Sequence, residues 1–495
     1  VSLVLDIPNG PLDPKGFTTV ELLLHEPKRD VTLTANVAAD NSFELSSIDP
    51  TDSVSIEATL RNDSGAAVGY GRTATAAAFA GGAQITIPVR RPIAYISGTV
   101  SRDVSTTLTP DVRWTEAPAT FSDLSIGAGL DGKTQLGSQA ILMIAAGPGL
   151  YMITQAIGNT SGLLTGPANV VPVSAADHQV SAALAGQMTG AVQDGAGTDD
   201  GATLVVGTST QLFAVDTATG MARPLADGNF ARVALLTTDT GEVHAIAIKN
   251  RAPTTAPCTA AGTAELWWAA LSSGAAPAHL VATGGFSDIA TDRGHAYYVD
   301  ACTGELGEAT AMTTTKQRTL GVPGTQRPTA LAVSNGQAYI GLETQPATTS
   351  LQVASLTLSD APRTLWTETT QQVLDVVSLP EVRRQLDASS VMFAHLEVGA
   401  GGDYVGLTTS AHFHGFELVD VGFPEMTIDT EELRVFDAAS GGIVQRYRSW
   451  CDGVLKIGAG DIRGWECALT AGQTAAAGDT FEHHLNSMTF LFGKK

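Results

Sequence analysis

Apolar and polar positions alternate in short runs along almost the whole chain. Val1, Leu3, Leu5 and Ile7 take every second place before Pro8-Asn9-Gly10-Pro11 interrupts them, and Val54, Ile56, Ala58 and Leu60 repeat the pattern. A period of two sets such residues on one face of a β-strand. Residues 20–24, 31–37, 41–45, 66–73 and 85–89 read as further strands, broken at Ile48-Asp49-Pro50 and Asn62-Asp63-Ser64-Gly65. About seven strands at turn intervals of about 8–15 residues predict a β-sandwich over residues 1–92. Arg90-Arg91-Pro92 marks its boundary.

Beyond that boundary the pattern becomes a recurring unit: an apolar strand, a turn closing on Gly, another apolar strand. Leu212-Phe213-Ala214-Val215-Asp216-Thr217-Ala218-Thr219-Gly220 is one form, and Tyr298-Val299-Asp300-Ala301-Cys302-Thr303-Gly304 and Val435-Phe436-Asp437-Ala438-Ala439-Ser440-Gly441 are related words. Asp bonds its own backbone two residues on, and Gly accepts the positive φ that ends such a turn. Gly241, Gly294 and Gly336 end comparable turns at intervals of about 53 and 42 residues, and the longer interval holds the loop 252–262. That period is the one expected of four-stranded propeller blades. It predicts blades over 121–185, 186–229, 230–285, 286–325, 326–370 and 371–450.

A seventh blade would be composite, with 93–121 from one side and strands within 454–492 from the other, so that no sheet edge is left open. Six or eight blades are left open by the spacing. The 371–450 unit is nearly twice the usual length, with insertions over 379–424. These comprise a short helix at 380–386 opened by Pro380 and a loop over 399–424. The fold class expected is all-β: residues 1–92 a β-sandwich, 93–495 a β-propeller.

Composition agrees with this reading. Of 495 residues, 43% are hydrophobic and 16% charged, which is not the balance of a disordered chain, and 52 Gly spread along the sequence suit many tight turns. The formal charge of −22 excludes a phosphate-backbone partner, since such a surface repels nucleic acid and anionic lipid. No apolar run approaches the ~20 residues that span a bilayer. The chain opens at Val1 without Met and alternates at once, as after removal of an export signal or in a trimmed chain.

Two resemblances add to the pattern. Asn41-Ser42-Phe43-Glu44-Leu45-Ser46-Ser47-Ile48-Asp49-Pro50 resembles the G-x-F-x-L-x-x-L-x-P-G stretch of carboxypeptidase-regulatory-like and transthyretin-like sandwiches, with Asn41 and Thr51 where Gly is preferred. It implies a non-catalytic accessory module of exported proteins. The Asp-x-x-Thr-Gly turns resemble the repeats of quinoprotein-type and other bacterial propellers, whose fuller pattern is A-x-D-x-x-T-G-x-x-x-W. Ala214, Asp216, Thr219 and Gly220 match, but Pro224, Glu308 and Gln445 stand where Trp would be. The missing Trp removes the stacking of quinone-binding members, so the resemblance implies structural turns and no cofactor.

Candidate chemistry is sparse. The four cysteines fit no common metal or haem spacing. Cys451 and Cys467 flank a compact stretch, while Cys258 lies in a loop and Cys302 in the turn of the following unit. Bridges 258–302 and 451–467 are expected, hence an oxidising compartment; the alternative is four unrelated buried thiols. Asp194, Asp199 and Asp200 lie on a Gly-rich stretch that could offer calcium its oxygens or be a solvated loop. His412 and His414 share a side of an extended strand with Glu417 and Asp420 nearby, as metal ligands or as packed histidines; His483 and His484 point to opposite faces. Trp267-Trp268 puts one indole on each face of a strand, for blade packing or for carbohydrate or protein contact. No Gly-x-Ser-x-Gly, phosphate-loop or His-Glu-x-x-His motif occurs, and no catalytic or metal residue is assigned.

The function expected is an exported, non-enzymatic binding or scaffold protein acting through propeller loops on a protein partner or surface assembly. The alternative is a propeller enzyme, a lyase, glycosidase or other hydrolase, with its site in the central channel. The Ala/Gly/Thr-rich style resembles periplasmic, outer-membrane-associated or secreted proteins of high-GC bacteria, lipoproteins among them, so an extracytoplasmic location is expected. A lipid anchor would lie outside this sequence.

Overall fold

The computed structural model describes residues 181–252 and 264–369 nearly throughout, and mainly the strands within 2–173 and 391–491. All regular secondary structure among the described residues is β-strand. Residues 380–386, expected to be helical, lie outside them.

The N-terminal strands Ser2–Asp6, Phe17–Glu26, Arg29–Asn36, Ser42–Glu44, Ser53–Asn62, Ala67–Arg72, Ala77–Ala78 and Gln84–Arg90 join in one eight-stranded sheet. Its two halves connect through only two residue pairs, Tyr70↔Arg90 and Gly71↔Val89. Both halves feed one core: Leu3, Leu5, Ile85 and Ile87 pack in the same cluster as Val20, Leu22, Leu24, Ile56 and Leu60. The alternation seen in the sequence thus lands on one buried face, and the sheet bends to cover it. Each fully buried Leu there contributes about 1.5–3 kcal/mol.

Seven larger sheets come next in chain order among the described residues, besides a two-stranded ribbon, Lys456–Gly458 with Asp461–Arg463. The second to sixth are four-stranded antiparallel meanders spanning 139–188, 192–227, 230–284, 286–319 and 326–369; the seventh has five strands within 391–469. The fourth is representative: Phe230–Thr237, Val243–Lys249, Ala264–Ala270, His279–Gly284. The first is assembled from both ends of the chain. Ile93–Arg102, Leu108–Glu116 and Ser125–Ile126 are completed by Phe481–Leu491, which pairs antiparallel with Ile93–Arg102. Each sheet's first strand touches the first strand of the next, and Phe481–Leu491 touches both Gln139–Ala146 and Val391–Gly401. The ring therefore closes, and the molecule is a β-propeller, with no innermost strand among the described sheets left at the end of the ring.

Hydrophobic layers fill the space between successive sheets. In the fourth sheet Ile246, Ile248, Leu266 and Trp268 pack toward the fifth, with Phe286 and Tyr298. Ala245, Ala247 and Ala269 pack the other way, with Val205, Leu212 and Phe230. A strand buried on both faces needs apolar residues at consecutive positions, which explains the runs that simple alternation does not. Close approach explains the small residues: a Cβ on Gly207 would strike the Phe230 carbonyl and side chain.

Every inner strand carries a β-bulge. The register shifts between Ala140/Leu142, Val192/Asp194, Phe230/Arg232, Phe286/Asp288, Pro328/Ala330, Phe393/His395 and Leu485/Ser487. One extra residue bends the strand and re-aims the side chains beyond it. Leu142, Asp194, Arg232, Asp288, Ala330, His395 and Ser487 thereby take equivalent places around the ring.

The seventh sheet departs from expectation. Residues 399–401 end the strand Val391–Gly401, and Tyr404–Phe413 is the next strand, where a loop over 399–424 was expected. The Gly-rich and Thr/Ser-rich wording suggests a loop, but Val405 and Leu407 are fully buried and alternate on one face. Residues 414–427 lie outside the described residues.

Candidate functional site

In an antiparallel meander the first and third connections lie at one end of each sheet and the second at the other. The fourth sheet's long connection 250–263, the seventh sheet's 414–427 and the Cys302 turn of the fifth are all second connections. They share that end of the ring with the starts of the inner strands. It is here that charge is buried.

Arg232 and Asp288, at equivalent places on neighbouring sheets, form an ion pair, with Nε 3.3 Å from Oδ1 and both side chains 11% exposed. Asp288 Oδ1 also accepts from Ile289 N at 2.9 Å, and Oδ2 accepts from Leu331 N of the sixth sheet at 2.8 Å. Burial pushes the Asp288 carboxyl up, while Arg232 and Arg251 pull it back toward the ionised form. Arg251 donates from Nε to the Ser287 carbonyl and from Nη2 to the Thr329 carbonyl, both at 2.6 Å. Ser287 Oγ donates to the Pro328 carbonyl at 2.6 Å, and Thr329 Oγ1 donates to buried Glu343 at 3.3 Å. Asp194 repeats the Asp288 arrangement two seams earlier, between the third and fourth sheets, accepting from Val233 N at 2.7 Å. The third to sixth sheets are thus fastened together by polar contacts at one level. Removing one member of the Arg232–Asp288 pair would strand a buried charge, a loss of about 3–5 kcal/mol.

The turn motifs behave as their chemistry requires. Asp216 Oδ1 accepts from Ala218 N, Thr219 N and Thr219 Oγ1, and Gly220 follows directly at φ 74°. Those Thr219 bonds hold the exposed Asp216 carboxyl below its usual range. Asp300 accepts from Cys302 N, Thr303 N and Gly285 N. Asp216 and Asp437 end third strands, whereas Asp300 ends a second. The word therefore marks tight turns and not one register of the repeat.

Cys302 is disulfide-bonded, and no free cysteine occurs among the described residues. Gly285 is needed beside it, since a Cβ there would meet Cys302 Sγ. Cys258 lies outside the described residues. Cys451 and Cys467 stand directly opposite each other across Ile443–Asp452 and Glu466–Leu469.

The acidic stretch is divided. Asp194 lies on the strand Val192–Gly197, while Asp200 Oδ1 accepts from Thr198 Oγ1 at 2.6 Å and Ala202 N at 2.9 Å; Asp199 lies outside the described residues. His412 lies on Tyr404–Phe413 opposite Met392 and Asp429, but His414, Glu417 and Asp420 fall outside. His483 and His484 sit opposite Val100 and Thr99 on the closing strand. No group of three metal-ligating residues gathers among the described residues. Of the tryptophan pair, half-buried Trp267 meets Phe230 edge-on at 6.2 Å with Lys249 5.1 Å over its ring, and Trp268 is buried against His244 at 5.4 Å. Both serve packing between sheets.

Arg232, Arg251 and Asp288 carry no sequence motif of their own. A signal exists in the inner-strand words Phe230-Ala231-Arg232-Val233, Phe286-Ser287-Asp288-Ile289 and Phe393-Ala394-His395-Leu396, which share an aromatic, a small residue, a titratable residue and an aliphatic.

No protein-family model and no curated relative match the sequence. Solved structures that match include the nidogen/laminin complex, at 9% identity over 56% of this chain and 93% of that one, with a TM-score of 0.36. Hsv2 of Kluyvelomyces marxianus matches at 8% over 68% and 93%, TM-score 0.35. Oligogalacturonate lyase in complex with manganese matches at 13% over 74% and 88%, TM-score 0.38. At such values these likenesses carry no argument about function. The protein's class, a β-propeller preceded by a small all-β unit, rests on its own strand pairing.

Proposed function

We propose that this is a non-enzymatic binding scaffold: a seven-bladed propeller behind an N-terminal β-sandwich, holding a protein partner or surface assembly through its long second connections. One observation carries the reading. Among the described residues at that end, half-buried Arg232 and Arg251 and buried Asp288 spend their polar contacts on neighbouring strands, fastening sheets together. Acid–base chemistry would call for groups open to a substrate. A frame made rigid in this way suits loops that must be presented in fixed positions.

The setting proposed is extracytoplasmic, with bridges Cys258–Cys302 and Cys451–Cys467. The first would tie the second connections of neighbouring sheets, and the bonded state of Cys302 supports it.

The test replaces residues 414–427 by Asn-Gly. Phe413 and Ile428 are already paired across the sheet, so a two-residue turn can join them. The variant should melt within about 2 °C of the parent and lose capture of whatever co-purifies with the native protein. Undiminished capture would remove this connection from the binding face.

A further inference from the structure

Three large apolar side chains stand exposed among the described residues: Met221 at 72%, Leu280 at 47% and Met312 at 83%. Single exposed apolar residues need no explanation, but these are not scattered. Met221 lies in the third connection of the third sheet, Met312 in the third connection of the fifth, and Leu280 beside the third connection of the fourth. They share the end of the ring opposite the long loops. Two cross-sheet hydrogen bonds link the segments that carry them: Arg223 Nη2 donates to the Leu271 carbonyl at 3.2 Å, and His279 Nε2 lies 2.7 Å from the Ala311 carbonyl.

The charge around this row is acidic. Asp216 is exposed in the same turn as Met221, and its bonds to Thr219 keep it ionised. Glu242, 69% exposed, lies in the first connection of the fourth sheet, and Asp360 is exposed in the third connection of the sixth. Of the nearby cations, Lys316 is paired with Glu305, while Arg223 keeps its charge and is turned onto the Leu271 carbonyl. The whole chain carries −22.

We propose that this row is a second docking surface, and that its occupant is a protein segment both basic and apolar. Two unbranched thioethers adapt their shape to varied apolar side chains, and the flanking carboxylates favour lysine and arginine between them. Like charge disfavours a second copy of this chain there, and it repels an anionic membrane. The surface is independent of the long loops, so it stands or falls apart from them.

The test uses the full chain, a synthetic peptide alternating leucine and lysine, and a second alternating serine and lysine. The variant Met221→Ser/Leu280→Ser/Met312→Ser leaves every charge in place and alters only exposed side chains; an unchanged melting temperature confirms its fold. Calorimetric titration should show the leucine–lysine peptide binding the parent at least tenfold more tightly than the variant. The serine–lysine peptide should bind both equally and weakly. Equal affinity of the leucine–lysine peptide for parent and variant would overturn the proposal. So would a parent that dimerises in sedimentation while the variant does not, or a parent that binds phosphatidylglycerol vesicles through the same three residues.

Discussion

His244 is half-buried, its ring 5.4 Å from Trp268, which packs toward the fifth sheet; partial burial holds its pKa below the ordinary value while Glu242 at 3.8 Å pulls the other way. A depressed histidine is neutral in the folded chain, so it favours folding above the unfolded value near 6.5 and disfavours it progressively below. The parent should therefore lose more melting temperature between pH 7.5 and 5.5 than His244→Phe, and Trp268 emission should fall over the same range. Parallel melting curves for the two proteins would refute this. At this scale some roles are legible in the sequence and others are not. The Asp216 and Asp300 turns could be read because every partner in the turn lies within four residues. The Arg232–Asp288 pair could not, because a bulge sets the reach of each side chain and the partners lie on different sheets.

Strands are legible wherever one face is buried and the alternation is clean, as in 20–24 and 54–60. The strand Tyr404–Phe413 falls within the expected loop, and the polar residues of its Thr-Thr-Ser centre suit an extended strand as readily as a turn. Pairing resolves the ambiguity, since Tyr404–Phe413 bonds on both sides within its sheet. The same logic makes the cysteines informative. Cys451 and Cys467 face each other across paired strands, a geometry a bridge can span, and Cys302 is already bonded. Peptide mapping without reductant should recover 258–302 and 451–467 as the linked pairs. Mixed pairs would overturn this pairing, and four free thiols would break the argument for an oxidising compartment as well.

For the molecule as a whole the deciding contact is the strand Phe481–Leu491 against Ile93–Arg102. Surplus strands at the two ends of the repeat make such a closure readable from sequence, whereas the seam chemistry is visible only once the sheets are side by side. Removing 481–495 should bare the backbone edge of Ile93–Arg102 and release the neighbouring second and seventh sheets. Broadened, lower-temperature unfolding with aggregation is expected, and removing 492–495 alone should leave the melt unchanged. A sharp, parent-like transition in the longer truncation would show that the ring holds without its clasp.

That arrangement also imposes an order on biosynthesis. The polypeptide's opening propeller strand waits for a mate made almost four hundred residues later, a delay of roughly 20–80 s at about 5–20 residues per second. Throughout that interval the nascent chain offers a bare strand to any neighbour on the same message. Cells making this protein would gain from a holding chaperone, or from carrying the chain unfolded to another compartment before its last strand can lock.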